Sequence, residues 1–371
     1  MICPSIILRE RKHDSMIEES RILRAEITAK RILVTSDIHG SYELFQALLE
    51  KMEYCPGKDS LVVIGDIVQK GPQNLQTLRA VMELARESSV YVLAGNNDIF
   101  ACDAPDENLL GSISYFRERT LLGEMALSMG LPLPETVEEV AGLWNRAERE
   151  FASEMAFLRG LPYILETERF LFAHAGLENE DLTAQNMEYV LSTPRFHETA
   201  EHVFQRLLLV GHWPAANYRT DRFSNNPIYH DEKNILSIDG GNGVKDFGQL
   251  NGVILDNETG DWRCVSVDRY RKITAPCSQK AAAGAVITWP ENFVELLRRG
   301  EELSLCRVRK SGAVLEIPND YLYEDEKGLR ARDYTELCLP VEKGEQVSLI
   351  RTFADRLLIV KNGEAGLLFL R

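Results

Sequence analysis

Five times between residues 31 and 214 a short apolar run breaks off in a polar, glycine-bearing turn: RILVTSDIHG, SLVVIGDIVQKGP, SVYVLAGNND, RFLFAHAGL and RLLLVGHWP. Runs of this length are too short for helices and too continuously apolar for strands with one wet face, so each is expected to be a strand buried on both sides. Helix-patterned stretches, Tyr42 to Glu53 and Asn74 to Arg86, separate the first three. That β-α-β-α-β alternation predicts an α/β fold. It also sets the polar residues at the C-terminal ends of strands, where such folds place their sites.

Around this core the sequence divides further. Residues 1–30 are dense in charge with scattered Ile and Leu, and are expected to form an N-terminal arm or a surface helix. A helical insertion is expected over about 107–159, interrupted by Pro132 and Pro134. NILSIDGGNG and LNGVILD read as a closing antiparallel pair, so the domain bearing the site is drawn over 31–260. Over 261–371 short alternating segments predominate, with Asn362-Gly363 placed as a hairpin turn, which predicts a small β-rich domain. A chain of 371 residues is consistent with two domains.

The net charge of -15 and the lack of a basic run disfavour nucleic acid as a partner, although a metal centre would still attract a single phosphate group. The seven cysteines form no CxxC pair and no apolar stretch has membrane-spanning length. A reduced, cytoplasmic protein is expected, with no membrane contact.

One Asp or His after a strand is ordinarily a turn former or a helix cap. Here the set is ordered: Asp37 and His39, then Asp66, Asn96, His174 and His212, each just after an apolar run. With SDIHG, GDIVQKG, GNND, FAHAGL and VGHWP in this order, the chain resembles the calcineurin-like metallophosphoesterases. GDIVQKGP, FAHAGL and the late IDGGNG are most similar to the protein Ser/Thr phosphatase and diadenosine tetraphosphatase branch. The resemblance implies an α/β architecture with a central β-sandwich flanked by helices, here with the helical insertion and the small C-terminal β-rich domain.

It further implies that Asp37, His39 and Asp66 hold one metal ion, while Asp66, Asn96, His174 and His212 hold a second, Asp66 bridging the two. A mixed N/O set suits Mn, Fe or Zn better than Ca, with Mn or Fe favoured by the family. Two such ions roughly 3.5 to 4 Å apart would acidify a bridging water to attack phosphorus and would stabilise the attacking and leaving oxygens. No protein nucleophile is required.

The chain departs from the family pattern at the leaving-group side. Asn97 replaces the histidine of the GNH block, which protonates the leaving group in the resembling phosphatases, and an amide cannot act as a general acid. Gln69 and Lys70 stand where the branch has an Asp that orients that histidine and an Arg that holds phosphate. Lys70 keeps the charge without the two-pronged geometry. Arg195 is the candidate for a replacement phosphate contact, and His230 a weaker candidate for a substitute acid. Asp98 and Asp239 are read as loop supports, and His13, His197 and His202 as surface or core residues.

These residues point to a metal-dependent hydrolase of phosphoesters or phosphoanhydrides, working best on leaving groups already stable as anions. Some diesterase branches of the family also lack the histidine. Its substrate would be a phosphorylated small molecule, a nucleotide or a phosphoprotein. A catalytically weak phosphate sensor or scaffold, with the C-terminal domain contacting a protein partner, is the alternative, followed by a Ser/Thr phosphatase and a nuclease.

Overall fold

A computed structural model describes residues 16–103, 105–353 and 355–370. Two sheets face one another. The first, in order β12-β11-β2-β3-β4, is built from β2 (Arg31–Thr35), β3 (Ser60–Ile64), β4 (Val90–Leu93), β11 (Leu250–Asp256) and β12 (Trp262–Val267). The second, in order β1-β5-β6-β7-β10-β9, holds β1 (Ile22–Arg24), β5 (Ile164–Glu166), β6 (Phe170–Ala173), β7 (Leu207–Val210), β9 (Ile228–His230) and β10 (Ile235–Ser237). Strands β2, β3 and β4 run parallel, joined by α1 (Tyr42–Lys51) and α2 (Asn74–Leu84).

The continuous apolar runs are explained by the two layers they separate. Ile32 and Val34, Val62 and Ile64, Phe170 and Phe172, and Leu209 point into the space between the sheets and form one buried cluster. Leu33, Leu61, Val63 and Leu171, at the intervening positions, join a second cluster with Phe45 and Leu48 of α1 and Leu78 of α2. With both faces covered, neither parity of the strand can be polar.

After α3 (Asn96–Cys102), the insertion comprises α4 (Glu107–Phe116), α5 (Leu121–Ser128), α6 (Val137–Glu150) and α7 (Ala152–Gly160), close to the expected 107–159. It touches the site loops directly: Leu121 N–H donates to Gln69 Oε1 at 2.9 Å, and Asn74 N–H donates to Glu124 Oε2 at 2.5 Å.

Three sequence expectations change. Residues 1–15, including His13, lie outside the described residues, but 16–30 is no surface helix: β1 pairs in parallel with β5 at the edge of the second sheet, and Ile17 and Ile22 are buried. The closing antiparallel pair does not exist as drawn. Strand β10 lies beside β7 and β9, whereas β11 crosses to the other sheet between β2 and β12, because the glycine turn between them bridges the two layers. The division at 260/261 falls between β11 and β12, which pair over Leu250 to Val267, so the first sheet runs past it.

Beyond Val267 the chain is β-rich as expected. Strands Arg271–Thr274, Gln346–Thr352, Arg356–Lys361 and Glu364–Phe369 form a sheet that takes in β8 (Phe223–Ser224) as its last strand. Asn362 (φ 51°) and Gly363 (φ 77°) make the hairpin turn, both in the left-handed region that such a two-residue turn requires. A three-stranded sheet, Val294–Arg298, Leu303–Val308 and Val314–Pro318, lies alongside. The buried cluster here includes Ala216, Phe223 and Phe247 from before residue 260, so the C-terminal part packs on the site-bearing part through a shared apolar core.

Candidate metal centre

The six expected ligands all leave the C-terminal ends of strands: Asp37 and His39 after β2, Asp66 after β3, Asn96 after β4, His174 after β6 and His212 after β7. The chain must turn sharply there to aim these side chains inward. Asp37 (φ 55°), His39 (φ 48°), Asp66 (φ 53°) and His212 (φ 65°) accordingly sit in the left-handed region. Such positions cost about 1 to 3 kcal/mol each for non-glycine residues and concentrate where function demands them. Gly95 and Gly211 serve approach rather than rotation, whereas Gly40 (φ 57°) and Gly65 (φ 75°) also turn the chain. A Cβ on Gly95 would lie 2.2 Å from Asp66 Oδ1, and one on Gly211 would lie 2.3 Å from Asp37 Oδ2.

Asp37, His39 and Asp66, all buried, each offer a ligand atom within 4.8 Å of the others. His39 Nε2 lies 3.9 Å from Asp37 Oδ1 and 3.7 Å from Asp66 Oδ2. On the opposite side of Asp66, His174 Nε2 lies 3.5 Å from its Oδ1 and 3.1 Å from Asn96 Oδ1, which also meets His212 Nδ1 at 3.0 Å. Asp66 therefore stands between two groups of nitrogen and oxygen donors. His174 Nδ1 donates to the Ile64 carbonyl at 2.8 Å, which fixes the ring and turns Nε2 toward the cluster. Asp37 Oδ2 is held by Ser36 Oγ at 2.6 Å and by the His212 N–H at 3.0 Å.

The electrostatics call for a cation. Burial, reinforced by the Asp66 charge, lifts Asp37 to about 6 and Asp98 to about 7, and burial with the Asp37 charge raises Asp239 well above the carboxylate range. Burial opposes charge on His174 as well, yet Asp66 and Asp37 outweigh it and push the imidazole to about 10. Burial drives His39 and His212 down to about 3, leaving both neutral. The donor set fits a cation bound in place of that proton, since nitrogen and oxygen donors of these types are those that hold Mn, Fe or Zn.

Loading the metal-free protein with Mn²⁺ at pH 8 is therefore expected to release about one proton, from His174, and affinity should weaken as pH falls through about 6, where Asp37 protonates. Calorimetry in buffers of different ionisation enthalpy measures the release. A pH-independent affinity between 5 and 8 would contradict it.

Asp98 is a loop support, as expected. Its Oδ1 accepts from the N–H groups of Ile67 (2.9 Å) and Val68 (3.2 Å), and its Oδ2 from that of Gly95 (2.9 Å), tying the Asp66 loop to the Asn96 loop. Asp98→Ala would strand these buried donors and is expected to destabilise the protein by about 3 kcal/mol or more in denaturant unfolding. A loss below about 1 kcal/mol would contradict that role.

Asn97 turns inward: its N–H and its Nδ2 donate to Asp66 Oδ1 (2.8 Å) and Oδ2 (2.6 Å). Gln69 is buried against the insertion rather than beside Asn97. Half-buried Lys70 acts electrostatically on His39, Asp66 and His212 and forms no ion pair among the described residues. Arg195 is drawn elsewhere, with its Nη2 on Glu198 at 2.5 Å and its Nη1 3.6 Å from Glu291. His230 packs at 5.1 Å on the ring of His197, and His202 at 4.8 Å on Phe204, away from the six ligands.

Asn242 is a site residue that the sequence pattern does not single out. Its Nδ2 donates to the Ile38 carbonyl (2.7 Å) and Ser41 Oγ (3.1 Å), and its Oδ1 accepts from Arg269 Nη2 (2.8 Å), so it clamps the DIHG turn. In the GGNG turn the glycines carry the visible signal, and only its position three residues after Asp239 could point to the asparagine.

The family profile for calcineurin-like phosphoesterases matches residues 30–253. The chain belongs to this family. Among curated relatives, it is 28% identical over 173 residues to the symmetrical bis(5'-nucleosyl)-tetraphosphatase of Chromobacterium violaceum, covering 45% of this chain and 53% of that one. The enzyme of the same name from Escherichia coli (strain K12 / DH10B) is 46% identical over 63 residues, 17% of this chain and 22% of that one. The matches thus span about half of these relatives or less. A solved structure provisionally named a diadenosine tetraphosphatase is similar at 18% identity and a TM-score of 0.46, covering 67% of this chain and 98% of its own. For a calcineurin-like phosphoesterase, GNND in place of GNH remains the main departure.

Proposed function

We propose that this calcineurin-like phosphoesterase is a dinuclear metal-dependent hydrolase of phosphoesters or phosphoanhydrides with good leaving groups, a nucleoside polyphosphate being the favoured substrate class. The observation that carries the proposal is the buried convergence of Asp37, His39 and Asp66, with His174, Asn96 and His212 on the far side of Asp66. When bound, two Mn, Fe or Zn ions would supply an activated water and charge stabilisation for the phosphoryl group.

The chain's own groups divide the remaining work. Lys70, half-buried and without an ion pair among the described residues, acts electrostatically on Asp66 and can hold a phosphoryl oxygen as a point charge. Asn97, committed to both oxygens of Asp66, orients that carboxylate and has no proton to give a departing alkoxide. Leaving groups that depart as stable anions suit this arrangement, in line with the names of the curated relatives. Ser/Thr phosphoproteins, whose alkoxide needs an acid, are disfavoured. The six described cysteines are unpaired, and among the described residues no helix is long and apolar enough to cross a membrane.

The test is hydrolysis of an aryl monoester, an aryl diester and a dinucleoside tetraphosphate by Mn-loaded protein. Turnover of the diester or the anhydride is expected. Two bound metals with no turnover of any of the three would favour the phosphate sensor.

A further inference from the structure

The residue after His212, Trp213, sets its ring against Trp289 of the C-terminal part, with centroids 5.2 Å apart and planes at 47°. Trp289 is 37% exposed, so one side of this pair faces water, its other ring being bonded in sequence to a metal-ligand candidate. Its backbone is tied down: the Trp289 main-chain N–H donates to Asp333 Oδ1 at 2.9 Å, and the same carboxylate pairs with buried Lys245 at 3.0 Å in the loop after Asp239.

Two residues further on, Glu291 lies 3.6 Å from Arg195 Nη1 and 3.3 Å from Lys310 Nζ. It is also one wall of a cavity of about 400 Å³ lined by Phe293, Arg309, Lys310 and Lys327. A larger cavity of about 430 Å³ opens between α2, α5 and α6; none of the six metal-ligand candidates lines either cavity, and only the smaller is reached from His212 through the tryptophan pair.

The charge of the smaller cavity is unusual for a chain with a net charge of -15. Three cations face one carboxylate that Arg195 already shares, and Arg309 and Lys327 form no ion pair among the described residues. Its aromatic wall is Phe293, with the Arg309 guanidinium 5.7 Å and that of Arg330 3.7 Å from the ring centre. The Arg330 charge is met by Asp325 at 2.7 Å and that of Lys310 by Glu291 at 3.3 Å, which leaves Arg309 and Lys327 for an anion. From His212 the path to this cavity is one bonded neighbour, one ring contact and two residues of chain, the last spanning at most roughly 7 Å.

We propose that the cavity is a subsite for the distal nucleoside phosphate of an elongated substrate, its phosphate held by Arg309 and Lys327 at the cavity and its base on the exposed ring of Trp289, two residues before the cavity wall at Glu291. Unpaired cations recognise phosphate, and ring faces accept any base. The subsite rests on the function proposed above, with the scissile phosphoryl group at the metal ligands.

The experiment titrates the full, metal-free chain with ATP, read by tryptophan fluorescence, and so does not depend on turnover. Saturable quenching is expected, weakened by about tenfold or more in an Arg309→Ala/Lys327→Ala double variant and reduced in amplitude in Trp289→Ala. Arg309 and Lys327 are exposed, so the double variant should melt with the parent. Absence of saturable quenching, or binding within about twofold of the parent in the double variant, overturns the proposal.

With Mn-loaded protein, the double variant should raise KM for a dinucleoside tetraphosphate about tenfold, keep kcat within about twofold and leave aryl diester kinetics unchanged. Loss of ATP binding with an unchanged KM would assign the cavity to a separate nucleotide and overturn the subsite. If the parent turns over nothing, the proposed function falls, while the ATP titration still decides whether the cavity takes a nucleoside phosphate.

Discussion

Replacing Asp66 by asparagine is expected to lower turnover of an aryl phosphodiester by more than about 100-fold while the fold is kept. Asp66 is flanked by His39 Nε2 at 3.7 Å and His174 Nε2 at 3.5 Å, so both of its oxygens face ligand nitrogens. An amide removes the negative charge shared by the two groups and converts one acceptor into a donor. That donor would meet the N–H or Nδ2 of Asn97, which now donate at 2.8 and 2.6 Å, or the metal itself. The measurements are kcat/KM with metal content on the same sample, and circular dichroism for the fold. Activity within about tenfold of the parent would remove Asp66 from the centre of the mechanism.

The second large effect concerns the missing acid. General acid catalysis contributes about 10² to 10⁴ in rate, so the parent should hydrolyse an alkyl phosphate poorly relative to an aryl diester or a phosphoanhydride. Asn97→His is expected to raise alkyl phosphate turnover by up to about 100-fold and to change anhydride turnover by less than about threefold. The gain should stay below the upper limit because the orienting carboxylate is absent: Gln69 is buried with its Oε1 on the Leu121 N–H. Equal losses on both substrates would instead show that losing the Nδ2 contact to Asp66 Oδ2 outweighs any proton the new imidazole donates.

Much of this site is legible in the sequence because its chemistry lies in strand-end motifs. A buried strand of four or five residues followed by Asp, His or Asn fixes both the direction and the end from which the side chain emerges. The order Asp37, His39, Asp66, Asn96, His174, His212 then places six donors at one edge of the sandwich. Support by Asp98 is legible for the same reason, since it lies within the first turn of the helix that starts at Asn96.

What escapes a reading of the sequence is pairing at long range. Nothing local distinguishes β10 from a partner of β11, because both are short apolar strands joined by a glycine turn. Only closure of the two sheets sends β11 to β2. The same holds for β1, whose three residues carry too little pattern to show that they pair with β5, 142 positions later for Arg24 and Glu166. Proximity to the VGHWP block suggests Arg195 as a phosphate contact, but its partners Glu198 and Glu291 come from a helical turn and from the far part of the chain. Trp289, Asp333 and Lys245 meet only because the C-terminal part shares a core with Phe223 and Phe247.

The most direct test of the central claim is a Mn²⁺ titration of metal-free protein in which bound metal and bis(p-nitrophenyl) phosphate turnover are measured on the same samples. Binding of two ions per chain, with turnover appearing as the second site fills, is predicted. Saturation at one ion, or two ions bound with no turnover, would contradict it.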